Sequence, residues 1–406
     1  MARRFTGSFT QQAAIPEQAI AAAIDVMRSG RLHRYNTSGD EVPQVSQLEA
    51  EYAAWQGSRY CLAVTSGGQA MQIALRAAGV GPGDHVLTNG FTLAPVPGAI
   101  AAVGGIPRLV EITPDLTLDL DDLEAKASGA RALLLSNMRG HLCDMDALAA
   151  ICDRLGLLLI EDCAHTMGAS WNGTRSGNFG VAGCFSTQTY KHMNSGEGGF
   201  LTSDDPDLMA RAIILSGSYM LYERHGAAPP AETFRDIRLD TPNMSARLDN
   251  LRAAVLRPQL EAIEGALTAW TERHDLISDG LRGTPGLRLP QRPTAETYVG
   301  SSLQFCLDGI SRQDARKLLA SAAARGVELK WFGADEPQGF TSAHSSWRYV
   351  PAQNLPCTDA VLAGLFDLRI PLSFSPADCR TIAQILSEEV RALNQVSGPA
   401  ISVPVS

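Results

Sequence analysis

A chain of 406 residues with 45% hydrophobic content exceeds one minimal domain and supplies a core large enough for two or three units. The net charge of −9, with no basic run, argues against nucleic acid or anionic membranes as partners. Its eight cysteines include no C-x-x-C pair, and the opening "MARRFTGSFTQQ" has a basic pair with no apolar run behind it, so a cytoplasmic protein with reduced thiols, no metal site and no signal peptide is expected.

In chain order, residues 1–40 read as an N-terminal arm and helix. From there short apolar runs alternate with helical patterns. "QAMQIALRAAG" (69–79), "APVPGAIAAVGG" (94–105) and "DMDALAAICDRLG" (144–156) are helical in spacing or length. "DHVLT" (84–88), "PRLVEI" (107–112), "RALLLS" (131–136) and "LGLLLIE" (155–161) are buried strands. Strand–helix alternation predicts right-handed crossovers and a mostly parallel sheet covered on both faces. This large α/β domain is predicted over 41–255. The rhythm then changes: one long helix (250–283), a strand at 301–307, a helix at 311–326, a strand at 327–331 and a last helix at 376–394. A smaller α+β domain is therefore expected over 256–395, followed by a loose tail, 396–406.

In such sheets ligands sit at the carboxyl ends of strands. The first exit, "VTSGGQAMQIAL", places Ser66, Gly67 and Gly68 before a helix whose first turn has no acid. Free backbone N–H groups there suit a phosphate, and the same turn serves any tight strand-to-helix connection. The second exit, "LLLIEDCAHTMGA", ends in Asp162 with His165 three residues on. Asp162 either caps a turn or holds a buried cation such as a protonated ring nitrogen. The third, "GCFSTQTYKHMNSGEGG", has Ser186 at a strand end and Lys191 five residues later, among aromatic and apolar neighbours and glycines. A phosphate cradle, a strand-end aspartate and a partly desolvated lysine are the three groups that pyridoxal 5'-phosphate requires.

In its motifs the chain resembles the DegT/DnrJ/StrS sugar aminotransferases, within the fold-type I group of pyridoxal-phosphate enzymes. The resemblance runs from near residue 29 to the last helix and is densest over 61–202. It rests on Ser66-Gly67-Gly68-Gln69-Ala70, Gly83-Asp84-His85-Val86, the run from Glu161 to Ala169, Phe185-Ser186, Lys191, and Gly196-Glu197-Gly198-Gly199. It implies a fold-type I large domain with a mostly parallel sheet, Lys191 as the Schiff-base lysine, Asp162 as the partner of the ring nitrogen, and Ser186 with the Gly67–Gly68 backbone as phosphate ligands. Three positions depart from the family's pattern: Gly68 where threonine is usual, Leu93 where an aromatic residue stacks on the ring, and His165 where glutamine is usual. The family's element that reaches the neighbouring subunit's phosphate is partly preserved, with Arg247 in register and Asn243 offset.

The activity so implied is transfer of an amino group from glutamate or glutamine to a keto-sugar, often nucleotide-linked, or to a cyclitol ketone, in a homodimer. Lys191 then serves as the base for the donor's Cα proton. Tyr219, His344 and Trp347, in polar and aromatic loop-like stretches, are candidates for a sugar-binding lip; such residues also cover core edges. Two rival readings stay open: another pyridoxal-phosphate reaction (dehydration or a lyase step) on the same scaffold, and a non-catalytic sensor or regulatory protein.

Overall fold

A computed structural model describes residues 3–339 and 343–397. The apolar runs form β1 (Tyr60–Val64), β2 (His85–Asn89), β3 (Ile106–Val110), β4 (Ala130–Ser136) and β5 (Leu158–Asp162). Two short strands, β6 (Ser170–Trp171) and β7 (Thr174–Arg175), come next, then β8 (Ala182–Ser186) and β9 (Gly199–Ser203). The main sheet has the order β1-β9-β8-β5-β4-β2-β3. Only β9 runs against its neighbours among these seven strands; β8, β5, β4, β2 and β3 pair in parallel.

Alternation along the strands divides the core. In β4, Leu133 and Leu135 join one apolar cluster, while Ala132 and Leu134 join another on the opposite face. A strand apolar on both faces can only lie between two helical layers, and each fully buried leucine contributes about 1.5–3 kcal/mol. Register brings the strand ends level: Ser136 pairs with Asp162, Asp162 with Cys184, Ser186 with Gly199, and Gly199 with Val64. One edge of the sheet therefore presents the residues that follow β1, β4, β5 and β8.

The expected long helix over 250–283 is two helices, Asn250–Glu261 and Ile263–Leu281. Ala262 (φ −95°, ψ 2°) interrupts the ladder, its N–H turning back to Leu260 O. The break serves two apolar clusters: Leu256, Leu260 and Ile263 pack in one beside the main sheet, Ile277 and Leu281 in another beside the second sheet. A short ladder joins β6 and β7 to β10 (Glu296–Thr297). The small domain's sheet is antiparallel, β11 (Ser302–Cys306), β13 (Leu365–Arg369) and β12 (Lys330–Trp331) in that order. The strand expected over 327–331 is thus only two residues long, because a single partner on β13 defines it. Phe5 and Phe9 of the N-terminal segment lie in this small-domain core, edge-on to Phe374. The last helix spans Pro376–Ser397, three residues past its expected end at 394; most of the expected tail lies outside the described residues.

Candidate active site

Ser66 follows β1 and caps the Gly67–Ala77 helix, its Oγ accepting from Gln69 N at 3.1 Å. Its hydroxyl thus stabilises the turn and leaves the N–H groups of Gly67 and Gly68 at the helix start to face a ligand. Gly67 is required by close approach, since a Cβ there would stand 2.9 Å from Cβ of Ser186. At Gly68 a Cβ would meet only Ser66 Oγ, at 3.7 Å. The helix start thus lies against the end of β8, with open space beside Gly68.

Asp162 ends β5 buried. Its Oδ1 accepts from Ala164 N at 3.1 Å and its Oδ2 from Ser136 Oγ at 3.2 Å, with Thr92 Oγ1 donating to Ser136 at 2.7 Å. Burial raises the Asp162 pKa, against the opposing pull of Lys191 and these hydrogen bonds. Among the described residues its hydrogen-bond partners are thus neutral donors, and the nearest opposing charge is Lys191. Ser136 and Thr92 are site residues that a strand-end reading alone does not reveal; their signal is the cross-strand pairing of Ser136 with Asp162.

Lys191 lies in a turn beyond β8, its N–H bonded to Gln188 O at 2.8 Å. The following loop folds back on the strand end: Ser195 N donates to Thr187 O at 3.0 Å, and Gly196 takes φ 79°, a left-handed value that suits glycine. The Lys191 Nζ is 2.9 Å from His165 Nε2. Burial pushes the lysine down to about 7; Asp162 opposes this, while Arg139, Arg369 and Lys330 add to it. Burial, with Lys191 beside it, lowers His165 well below the usual histidine range, so the ring is neutral and accepts at Nε2 when the lysine is charged. His165 therefore occupies the glutamine position as a partner of the lysine itself.

The remaining predicted residues have other surroundings. Leu93 packs partly buried against the cluster of Phe91, Met138 and Phe332. Arg247 donates to Gly217 O at 2.9 Å and lies 5.0 Å from the ring centre of Tyr219, which is 60% exposed. Asn243 Oδ1 accepts from Ser245 N at 3.0 Å, closing a turn. Within one chain these three form a cluster of their own, with no hydrogen bond to Lys191, Asp162 or Ser186. His344 is buried and bonded to Asp359 at 2.9 Å, and Trp347 is buried with Leu109, Val350 and Leu355. Both are packing positions rather than an exposed lip; of the stretch 335–349 that suggested them, 340–342 lie outside the described residues.

Sequence reading also missed four charged residues near Lys191: Arg139 after β4, Lys330 on β12, and Asp367 and Arg369 on β13. Gln304, Asp367 and Lys330 form one rung across the small sheet. Asp367 is fully buried, 3.1 Å from Lys330 Nζ and 3.2 Å from an Arg139 nitrogen. Burial alone would raise this acid, but Arg139 and Lys330 overcome it and hold it down to about 2.

Among solved structures, the fold is shared with 3-amino-5-hydroxybenzoic acid synthase (TM-score 0.81, 24% identity, 97% of this chain and 100% of that one). S. venezuelae DesV, solved in complex with a ketimine intermediate, matches with TM-score 0.76 and 29% identity over 92% of this chain and 93% of its own. Among curated proteins, L-glutamine:scyllo-inosose aminotransferase of Streptomyces griseus is 33% identical over 272 residues, 65% of this chain and 63% of that protein. UDP-2-acetamido-2-deoxy-3-oxo-D-glucuronate aminotransferase of Pseudomonas aeruginosa is 35% identical over 257 residues, 63% of this chain and 66% of that protein. A "pleiotropic regulatory protein" of Geobacillus stearothermophilus is 33% identical over 255 residues, 61% of each chain. This chain therefore aligns with about 61 to 66% of the length of these three curated relatives. The model of the DegT/DnrJ/EryC1/StrS aminotransferase family matches residues 14–387. With lysine, aspartate and glycine cradle placed at successive strand ends and this match over nearly the whole chain, the protein belongs to the DegT/DnrJ/EryC1/StrS aminotransferase family.

Proposed function

We propose that this protein is a pyridoxal-phosphate-dependent aminotransferase that takes the amino group of glutamate or glutamine and gives it to a keto-sugar, nucleotide-linked or free, or to a cyclitol ketone. The observation that carries this reading is the amine of Lys191, lowered to about 7 by burial and held 2.9 Å from a neutral His165. A lysine so placed is an uncharged nucleophile and base over half its population near neutral pH. The residues fit the cofactor: Asp162 has no bonded cation, and Gly67, Gly68 and Ser186 leave a cradle for a phosphate. Once bound, the cofactor supplies an electron sink for the donor's Cα.

The chain's own groups supply the rest. Asp162 anchors the ring nitrogen and is itself oriented by Ser136 and Ala164 N–H. Lys191 Nζ takes the donor's Cα proton and returns it to the opposite end of the transfer, and His165 Nε2 orients that amine. The names of the relatives cover a cyclitol and a nucleotide-linked oxo-sugar, which supports both acceptor classes. We further propose a homodimer, in which Arg247, with Asn243 and Tyr219 beside it, reaches the partner's phosphate site, and a cytoplasmic setting. All eight cysteines are free, and among the described residues no helix is long and apolar enough to cross a membrane.

The test is a spectral titration of protein loaded with pyridoxal phosphate. Glutamate or glutamine alone should remove the absorbance of the lysine-bound cofactor and release the matching keto acid. Borohydride should trap the cofactor on the peptide containing Lys191, and Lys191→Ala should abolish trapping. Failure of both donors on demonstrably loaded protein overturns the aminotransferase reading in favour of a lyase or a sensor.

A further inference from the structure

A cavity of about 700 Å³ lies between the Ile263–Leu281 helix, the segment 282–292 and β11. That volume is in the range of small-molecule pockets, and none of Lys191, Asp162, His165, Ser186 or the glycine cradle lines it. Two histidines do. His141 is 5% exposed and His274 9%, and each ring has one nitrogen bonded to the protein and one without a partner. His141 Nε2 is 2.8 Å from Gln304 Oε1, and His274 Nδ1 is 3.1 Å from Asp275 Oδ1. His141 Nδ1 and His274 Nε2 have no hydrogen bond among the described residues, and neither atom is sealed from accessible space.

The hydrogen bonds fix which proton each ring carries. Asp367, kept ionised by Arg139 and Lys330, accepts from Gln304 Nε2 at 2.8 Å, so the Gln304 amide turns its Oε1 to His141. His141 Nε2 is therefore the protonated nitrogen, and Nδ1 carries a lone pair. Asp275 likewise accepts from His274 Nδ1, which leaves the lone pair on Nε2. Burial lowers both rings from the usual histidine range, so near neutral pH both are uncharged. Two fixed acceptors thus border one cavity. Its charges are matched: Arg282 pairs with Asp279, Arg288 with Asp308 and Arg292 with Glu296, at 3.0, 2.9 and 2.7 Å. Leu281, Leu289 and Leu303 supply apolar wall between these groups.

We propose that this cavity is a second ligand site, for an uncharged polyhydroxy compound (a sugar or a cyclitol) whose hydroxyls donate to His141 Nδ1 and His274 Nε2. Hydroxyl donors match the two lone pairs, and the C–H faces of such a compound match the leucine wall. An anion would have to displace an acid from a paired arginine. A metal ion on the two lone pairs, or any other cation, would meet the field of Arg292, which acts on both rings. The site is independent of the aminotransferase reading and holds equally for another reaction at Lys191.

The experiment uses protein loaded with pyridoxal phosphate and labelled with nitrogen-15 at its eight histidines. Long-range proton–nitrogen spectra should show His141 protonated at Nε2 and His274 at Nδ1, with signals assigned from His141→Phe and His274→Phe. Glucose, myo-inositol or maltose should shift the two unprotonated nitrogens together in one saturable step. Calorimetric titration with the same compounds should show binding that each variant weakens about three- to ten-fold, the worth of one hydrogen bond. The two variants are independent, so a misfolded one leaves the other to decide. Gluconate and glucosamine, charged counterparts of glucose, should bind no more tightly than glucose. The opposite tautomer at either ring, no saturable shift with any of the three neutral compounds, or binding that neither variant weakens overturns the proposal. Tighter binding of gluconate or glucosamine overturns the uncharged class. Failure of the amino donors to convert the bound cofactor removes the aminotransferase reading alone, so the two failures are distinguishable.

Discussion

Lys191 and Asp162 carry opposite signs of the same effect. Burial disfavours charge on both, lowering the amine and raising the acid. In the proposed role of nucleophile the amine acts uncharged, and that fraction rises with pH through a midpoint near 7. We predict that apoprotein captures pyridoxal phosphate at a rate rising along that curve and level above about pH 8, as stopped-flow absorbance will record. A midpoint above 9 would mean that the lysine is solvated. For Asp162 the linkage runs the other way. Its folded-state pKa is raised, so its contribution to stability is complete below the unfolded value and is lost as pH rises through the folded one. Asp162→Asn should therefore melt no lower than wild type as apoprotein at pH 7, by scanning calorimetry, while losing cofactor on dialysis far faster. A clear fall in apoprotein stability would show a structural carboxylate.

At the scale of elements, the cradle depends on one helix start. Ser66→Ala removes the cap and should cost about 1 kcal/mol in chemical denaturation. Gly68→Thr tests the open space beside it. The φ of Gly68 is not left-handed and its Cβ direction is free of backbone, so the helix accepts the side chain. The new hydroxyl should add one phosphate hydrogen bond, about 0.5–1.5 kcal/mol, seen as a several-fold slower cofactor release. Unchanged release would place the phosphate elsewhere. This cradle was legible because Ser66–Gly68, Asp162, Ser186 and Lys191 each lie within a few residues of a strand end, and strand ends can be read from apolar runs. The break at Ala262 was less legible, since helical periodicity continues across it and only the separation of two cores requires the turn.

Across the whole molecule, the N-terminal segment is tied to the large domain by a buried ion pair. Arg34 donates to both oxygens of Glu49, at 2.9 and 2.8 Å, His225 lies 3.4 Å from the same carboxylate, and Glu49 also accepts from Ala63 N of β1. Burial by itself would raise the Glu49 pKa, but Arg34 and His225 bring it far below the carboxylate range. A depressed acid contributes stability above its unfolded pKa and loses it as pH falls towards the folded one. Glu49→Gln leaves Arg34 buried without its counter-ion and should cost about 3–5 kcal/mol at pH 7, with a flatter acid limb in a melting-temperature profile. Equal melting temperatures would show that the pair is replaceable. Assembly belongs to this scale too: Arg247 hydrogen-bonds within its own chain without reaching Lys191, so we predict a two-fold dimer by light scattering at assay concentration. An active monomer would refute it.

What the sequence by itself determined is what short segments can encode: strand and helix alternation, caps and glycines, and the reactive groups at successive strand ends. Apolar period and turn chemistry are local, and in a parallel sheet they place the strand ends on a common edge. What only the tertiary structure decided is the set of contacts between distant segments. Trp347 became a packing residue because the chain after β12 lies against Leu109 of β3, and His344 because it bonds Asp359 of the helix Pro356–Ala363, which no local pattern announces. Arg139, Lys330 and Arg369 look in sequence like ordinary charges, one after a strand and two within small-domain strands. In the tertiary structure they gather around the buried Asp367, and the low-dielectric surroundings couple these separate charges beside Lys191.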